Sequence, residues 1–130
     1  SGQHLRLRWY KISGEHDAAS WVRKLQARGR PPLAIIGGGT SDRAVRLARA
    51  LQETYPNIEA AAPVFLITTA TAENTADDTP LIEVYPRRSF RFSFTNHRMV
   101  KSLLRFVQQT PDLWTSKAAS EPQPLTMHAV

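Results

Sequence analysis

The residues able to do chemistry gather at the ends of apolar runs. Leu33-Ala34-Ile35-Ile36 ends in Gly37-Gly38-Gly39, followed by Thr40-Ser41-Asp42. Val64-Phe65-Leu66-Ile67 ends in Thr68-Thr69-Ala70-Thr71-Ala72. A third stretch, Phe90-Arg91-Phe92-Ser93-Phe94, runs into Thr95-Asn96-His97. Glycines let backbone N–H groups approach a ligand, and a helix N-terminus favours an anion, so phosphate is the first ligand to weigh. The phosphate fingerprints fail. Asp42 stands where the third glycine of G-x-G-x-x-G belongs, and no lysine follows the glycines at the P-loop spacing. Asp42 would also compete with an anion for the donors of the first helical turn. A tight strand-to-helix turn, needing glycine for backbone reasons, accounts for the three glycines better than a phosphate does.

Catalytic patterns are absent as well. The four histidines, at 4, 16, 97 and 128, form no metal-ligand spacing, and the chain has no cysteine. Ser41 lacks the G-x-S-x-G context of an activated serine. Asp77 and Asp78 are adjacent in a polar stretch, with nothing around them that makes an acid–base pair. His97 beside Asn96 reads as a first-turn surface residue. We therefore expect no enzyme, no metal and no cofactor. What remains is a set of neutral groups: the hydroxyls of Thr40, Ser41, Thr68, Thr69, Thr71, Thr75 and Thr95, with glycine-exposed backbone. Such groups suit the carboxylate and ammonium of a small zwitterion without a fixed counter-charge. Threonine is equally a good strand residue, so the same pattern also fits plain strand ends.

Periodicity says how these loops are held. Leu5-Arg6-Leu7-Arg8-Trp9 alternates like a strand with one buried face. Ala18, Trp21, Val22 and Leu25 follow at helical spacing after Asp17, a cap residue, and Gly29 with Pro31-Pro32 stops that helix. Leu33-Ala34-Ile35-Ile36 and Val64-Phe65-Leu66-Ile67 suit strands covered on both sides, as in a parallel sheet. Between them, Thr40 or Ser41 caps a helix whose buried stripe is Ala44, Leu47, Ala48, Leu51 and Tyr55. Thr79-Pro80 opens a short helical turn through Val84. Phe90, Phe92 and Phe94 form the inner face of a further strand. Asn96 caps a last helix, with Val100, Leu103, Leu104 and Val107 on its buried side and Pro111 ending it. This alternation predicts an α/β domain: three layers, with a mostly parallel sheet of four to five strands flanked by helices. One such domain spans residues 1–114. Residues 115–130 form a polar tail whose apolar end is available as an edge strand. In such sheets ligands sit beyond the carboxyl ends of the strands, where the three loops would meet.

The chain has 130 residues, 42% of them hydrophobic, enough for one domain with its own core. No apolar run is long enough to span a membrane, and no signal-peptide pattern is seen. The net charge of +6 would draw nucleic acid or an anionic surface. Its basic residues are spread along the chain, which fits solvated helix exteriors. Arg43, Arg46 and Arg49 on one helix, and Arg87-Arg88 with Arg91, are the exceptions.

"AIIGGGTSDRAVRLARAL", "PVFLITTATAENT" and "SFRFSFTN" before a helix, in this order and spacing, resemble the N-terminal lobe of type I periplasmic binding proteins. The similarity is to the branched-chain amino-acid-binding group of ABC transporters and the related receptor ligand-binding regions, and covers roughly residues 5–114. The family's first strand and helix and its second lobe lie outside the match, and its usual Ser-rich turn is Gly-rich here. The resemblance implies a non-enzymatic module that binds an amino acid or similar small carboxylate. It implies ligand contacts from Gly38, Gly39, Thr40 and Ser41 on one side and Thr69, Ala70 and Thr71 on the other. It further implies a second lobe or a homodimer partner to close the cleft, and a periplasmic or extracytoplasmic location. The competing expectation is a basic interaction domain for nucleic acid or a protein partner. It is weakened by phenylalanines that read as buried, because base stacking needs exposed rings.

Overall fold

The computed structural model describes residues 4–12, 17–57 and 61–111. The chain divides into two compact units, residues 1–95 and residues 96–130. The first unit carries helix α1 (Ala18–Gln26), strand β1 (Ala34–Gly37), helix α2 (Ser41–Thr54), strand β2 (Val64–Ile67), a 3₁₀ turn (Leu81–Glu83) and strand β3 (Ser89–Arg91). The second unit carries helix α3 (Asn96–Gln109). The fold is α/β, with a small, wholly parallel sheet in the order β1-β2-β3.

Local chemistry sets the boundaries. The Asp17 carboxylate accepts from the Ala19 N–H at 3.2 Å and caps α1. Gly29, with φ +69°, then turns the chain towards Pro31-Pro32. Thr40 caps α2, its hydroxyl oxygen accepting from the Arg43 N–H at 3.4 Å. Pro80 stands just ahead of the 3₁₀ turn. The predicted stripe of α2 is buried throughout: Ala44, Leu47, Ala48, Leu51 and Tyr55. Helix α1 packs on α2 and adds Val22 and Leu25 to the same core, which also takes in Ile35, Phe65, Ile67, Leu81 and Tyr85.

The sheet has three strands among the described residues, fewer than the four to five expected. Residues 5–9 make no strand, and Trp9 is 97% exposed. Alternation makes a strand only where a sheet edge offers a ladder. Here Tyr10 instead ties this segment to α1. Its ring meets Trp21 edge-on at 5.5 Å, and its hydroxyl accepts from Arg28 Nη1 at 2.6 Å.

The phenylalanine face, expected to be the inner one, is exposed. Phe90 is 54% exposed, and Phe92 and Phe94 are 69% exposed. Register is the reason: Phe65 pairs with Ser89 and Ile67 with Arg91. Phe65 and Ile67 point into the core, so Ser89 and Arg91 share their side of the sheet and Phe90 takes the other. Ile36, Leu66 and Phe90 lie in one row on that other face, where Ile36 and Phe90 stay exposed. The three-layer expectation needs helices on both faces. The buried core of this unit lies on one.

Helix α3 starts at Asn96 itself and ends at Gln109, ahead of Pro111. None of its residues is buried. The side expected to be covered is exposed at Val100, Leu103 and Leu104 and half-buried at Val107. A helical period produces an apolar stripe whether or not anything covers it. The expected edge strand in 115–130 lies outside the described residues.

Candidate site at the carboxyl edge of the sheet

Because the three strands are parallel, their following loops emerge at one edge. After β1 the chain passes through Gly38 at φ +80°. A Cβ there would lie 3.0 Å from the Ala44 Cβ and 3.3 Å from Ile67 Cγ2. This glycine is therefore set by close approach of helix to strand. At Gly39 the nearest atom to a Cβ would be Thr69 Oγ1 at 3.9 Å, so ordinary space exists there.

The hydroxyls latch the loops to one another. The Thr68 N–H and hydroxyl both donate to the Gly37 carbonyl, at 3.0 and 3.1 Å. The Thr69 hydroxyl donates to the Gly39 carbonyl at 2.9 Å. The Ala72 N–H donates to Ser41 Oγ at 3.1 Å. From the segment after β3, the Ser93 hydroxyl donates to the Ala70 carbonyl at 2.6 Å. Arg91 Nη2 donates to the Ala72 carbonyl at 2.5 Å. Gly39, Ser41, Thr69 and Ala70 thus belong to one set of segments held together by six hydrogen bonds.

These bonds decide what stays free to act. The protons of Thr68, Thr69 and Ser93 are already committed to carbonyls. Ser41 only accepts, so its own O–H proton remains a donor. Thr40 spends an acceptor lone pair on its helix cap. Ala70 is buried and can offer only backbone. Thr71 is half-buried and makes none of the cross-loop bonds. The first N–H groups of α2 have no intrahelical acceptor, and the Asp42 carboxylate sits in that same turn.

Sequence reading missed Arg91 and Ser93. Taking the phenylalanines as the inner face sent both to the outside. The signal was present in the alternation Ser89, Arg91, Ser93, once its phase is inverted. Arg91 is half-buried, and its Nη1 is enclosed with no acceptor. An enclosed unpaired donor costs about 1–3 kcal/mol, and more when charged. Burial lowers the Arg91 guanidinium from its ordinary value, and the charge of Glu73 partly restores it.

Among the described residues no three His, Asp or Glu are placed to hold a metal, and no helix is long and apolar enough to cross a membrane. Asn96 and His97, expected beside these loops, belong to the second unit. No family model matches this chain, and no similarity to a curated protein or to a solved structure was found.

Proposed function

We propose that the chain is a non-enzymatic binding module for a small carboxylate such as an amino acid, resembling one lobe of an ABC-transporter substrate-binding protein. The observation that supports it most is the latched set of loops at the carboxyl edge of a parallel sheet, the place where such sheets take ligands. Latches hold donors in position before a ligand arrives, which lowers the ordering cost of binding. In this reading a further layer covers the face of Ile36 and Phe90, giving the three-layer, four- to five-stranded lobe. A second lobe or a second copy closes the cleft from above, and the working location is extracytoplasmic.

A second reading gains from one observation. Phe90, Phe92 and Phe94 are exposed, and Arg87 and Arg88 lie close to them in sequence. Exposed rings among cations are what single-stranded nucleic acid stacks on.

One experiment separates the two. Thermal unfolding is followed with free amino acids, small carboxylates, NAD, ATP and a single-stranded oligonucleotide. Binding to the native state raises the midpoint by mass action, worth about 2.7 kcal/mol at a hundred times Kd. The binding-module reading expects a rise with an amino acid, reduced in Thr71→Ala. That variant is cleaner than Ser41→Ala, which also loses the latch to Ala72. A rise with the oligonucleotide that collapses with salt, and no rise with any amino acid, overturns it in favour of the second reading.

A further inference from the structure

We infer that Arg91 is the fixed counter-charge of this edge, and that the site selects an anionic group, a carboxylate, for it. The inference rests on reading the edge as a binding surface, and it changes what that surface recognises. The sequence offered only neutral donors there. The register places an arginine in the last paired row of the sheet, beside Ile67, itself paired with Gly37.

Four observations converge on Arg91. Its Nη2 is anchored on the Ala72 carbonyl, which holds the guanidinium at this edge. Its Nη1 is enclosed without an acceptor, and a buried charged donor without a partner calls for a water or an ion. Ser41 Oγ is held by the N–H of the same Ala72 and keeps its proton to donate. The acid nearest in effect, Glu73, acts on Arg91 by charge alone and makes no ion pair with it. A guanidinium presents donors in a planar fork that matches a carboxylate. A carboxylate beside Ala72 would take the Ser41 proton and lie against the Arg91 guanidinium, and it would reach the enclosed Nη1 once the groups covering that atom move aside. A neutral amide in the same place would meet the charge only through its dipole, a weaker attraction than that of a carboxylate.

The test uses side-chain NMR of arginine in the whole, nitrogen-labelled chain, titrated with sodium acetate against chloride at constant ionic strength. Arg49, which pairs with Asp77 at 2.5 Å, is the internal control. The expected result is a saturable shift of the Arg91 signals with those of Arg49 unmoved. Any amino acid that stabilises the chain should then bind about tenfold more weakly to Arg91→Lys, which keeps the charge and loses the fork. It should lose similar affinity as its carboxamide. Equal movement of Arg49 and Arg91, or none at Arg91, overturns the inference even if amino acids bind. Equal affinity of acid and carboxamide overturns it too. A saturable Arg91 shift with no amino acid binding leaves the anion site standing and removes the amino-acid reading. The wild-type titration does not depend on the variant folding.

Discussion

Gly38 and Gly39 are neighbours in sequence with different reasons to be glycine. Gly38 combines φ +80° with a Cβ position only 3.0 Å from the Ala44 side chain. Gly38→Ala should therefore cost about 1–3 kcal/mol, from left-handed backbone and contact together. Gly39→Ala should change stability by less than about 0.5 kcal/mol, since the nearest atom to its Cβ position, Thr69 Oγ1, lies at an ordinary contact distance of 3.9 Å. Urea unfolding of both variants checks this, and equal losses would contradict the distinction. The requirement for glycine was legible in the triplet Gly37-Gly38-Gly39. Which of the three carries it was not, because the clash comes from Ala44 and Ile67, set beside it by packing. Arg91 shows the same limit: its type was visible and its side of the sheet was not.

At the scale of elements, helices were the most legible. The α2 stripe from Ala44 to Tyr55 is buried as expected, and its cap is Thr40. Helical periodicity is local, so it can be read from neighbours along the chain. Strands depend on a partner edge and a register, and both strand errors arose there. Residues 5–9 alternate correctly and have no ladder. In β3 the alternation is real and the phase is inverted by the pairing of Ile67 with Arg91. A consequence follows for the segment before α1. Leu7→Ser and Trp9→Ser should each move the unfolding free energy by less than about 0.5 kcal/mol, because both side chains stand in solvent. Losses of several kcal/mol in the same urea titration would restore the buried strand.

For the whole molecule, the alkaline limit of stability has a structural source. Burial raises the hydroxyls of Tyr55 and Tyr85 above the ordinary value of 10.0. The protonated Tyr85 hydroxyl donates to the Pro63 carbonyl at 2.9 Å, and a phenolate could not. Both groups hold their proton more tightly folded than unfolded. Their contribution is then complete below pH 10 and falls as pH rises beyond it through the folded-state values. Urea midpoints measured between pH 8 and 11 should decline only in the upper part of that range, and the decline should be shallower in Tyr55→Phe. A flat profile would mean the two hydroxyls ionise alike in both states. Neither tyrosine could be ranked for burial from the chain alone beyond the helical place of Tyr55. The division of information follows from range. The sequence by itself determined the helices, the N-terminal caps of α1 and α2, the apolar runs that became β1 and β2, and the polar loops after them, all from interactions within a few residues. Tertiary structure alone decided strand pairing, the phase of β3, the latches of Ala72 to Ser41, Thr69 to Gly39 and Ser93 to Ala70, and the inward turn of Arg91. Those rest on contacts between residues about twenty to thirty positions apart, and a period of two carries no mark of which side will meet the core.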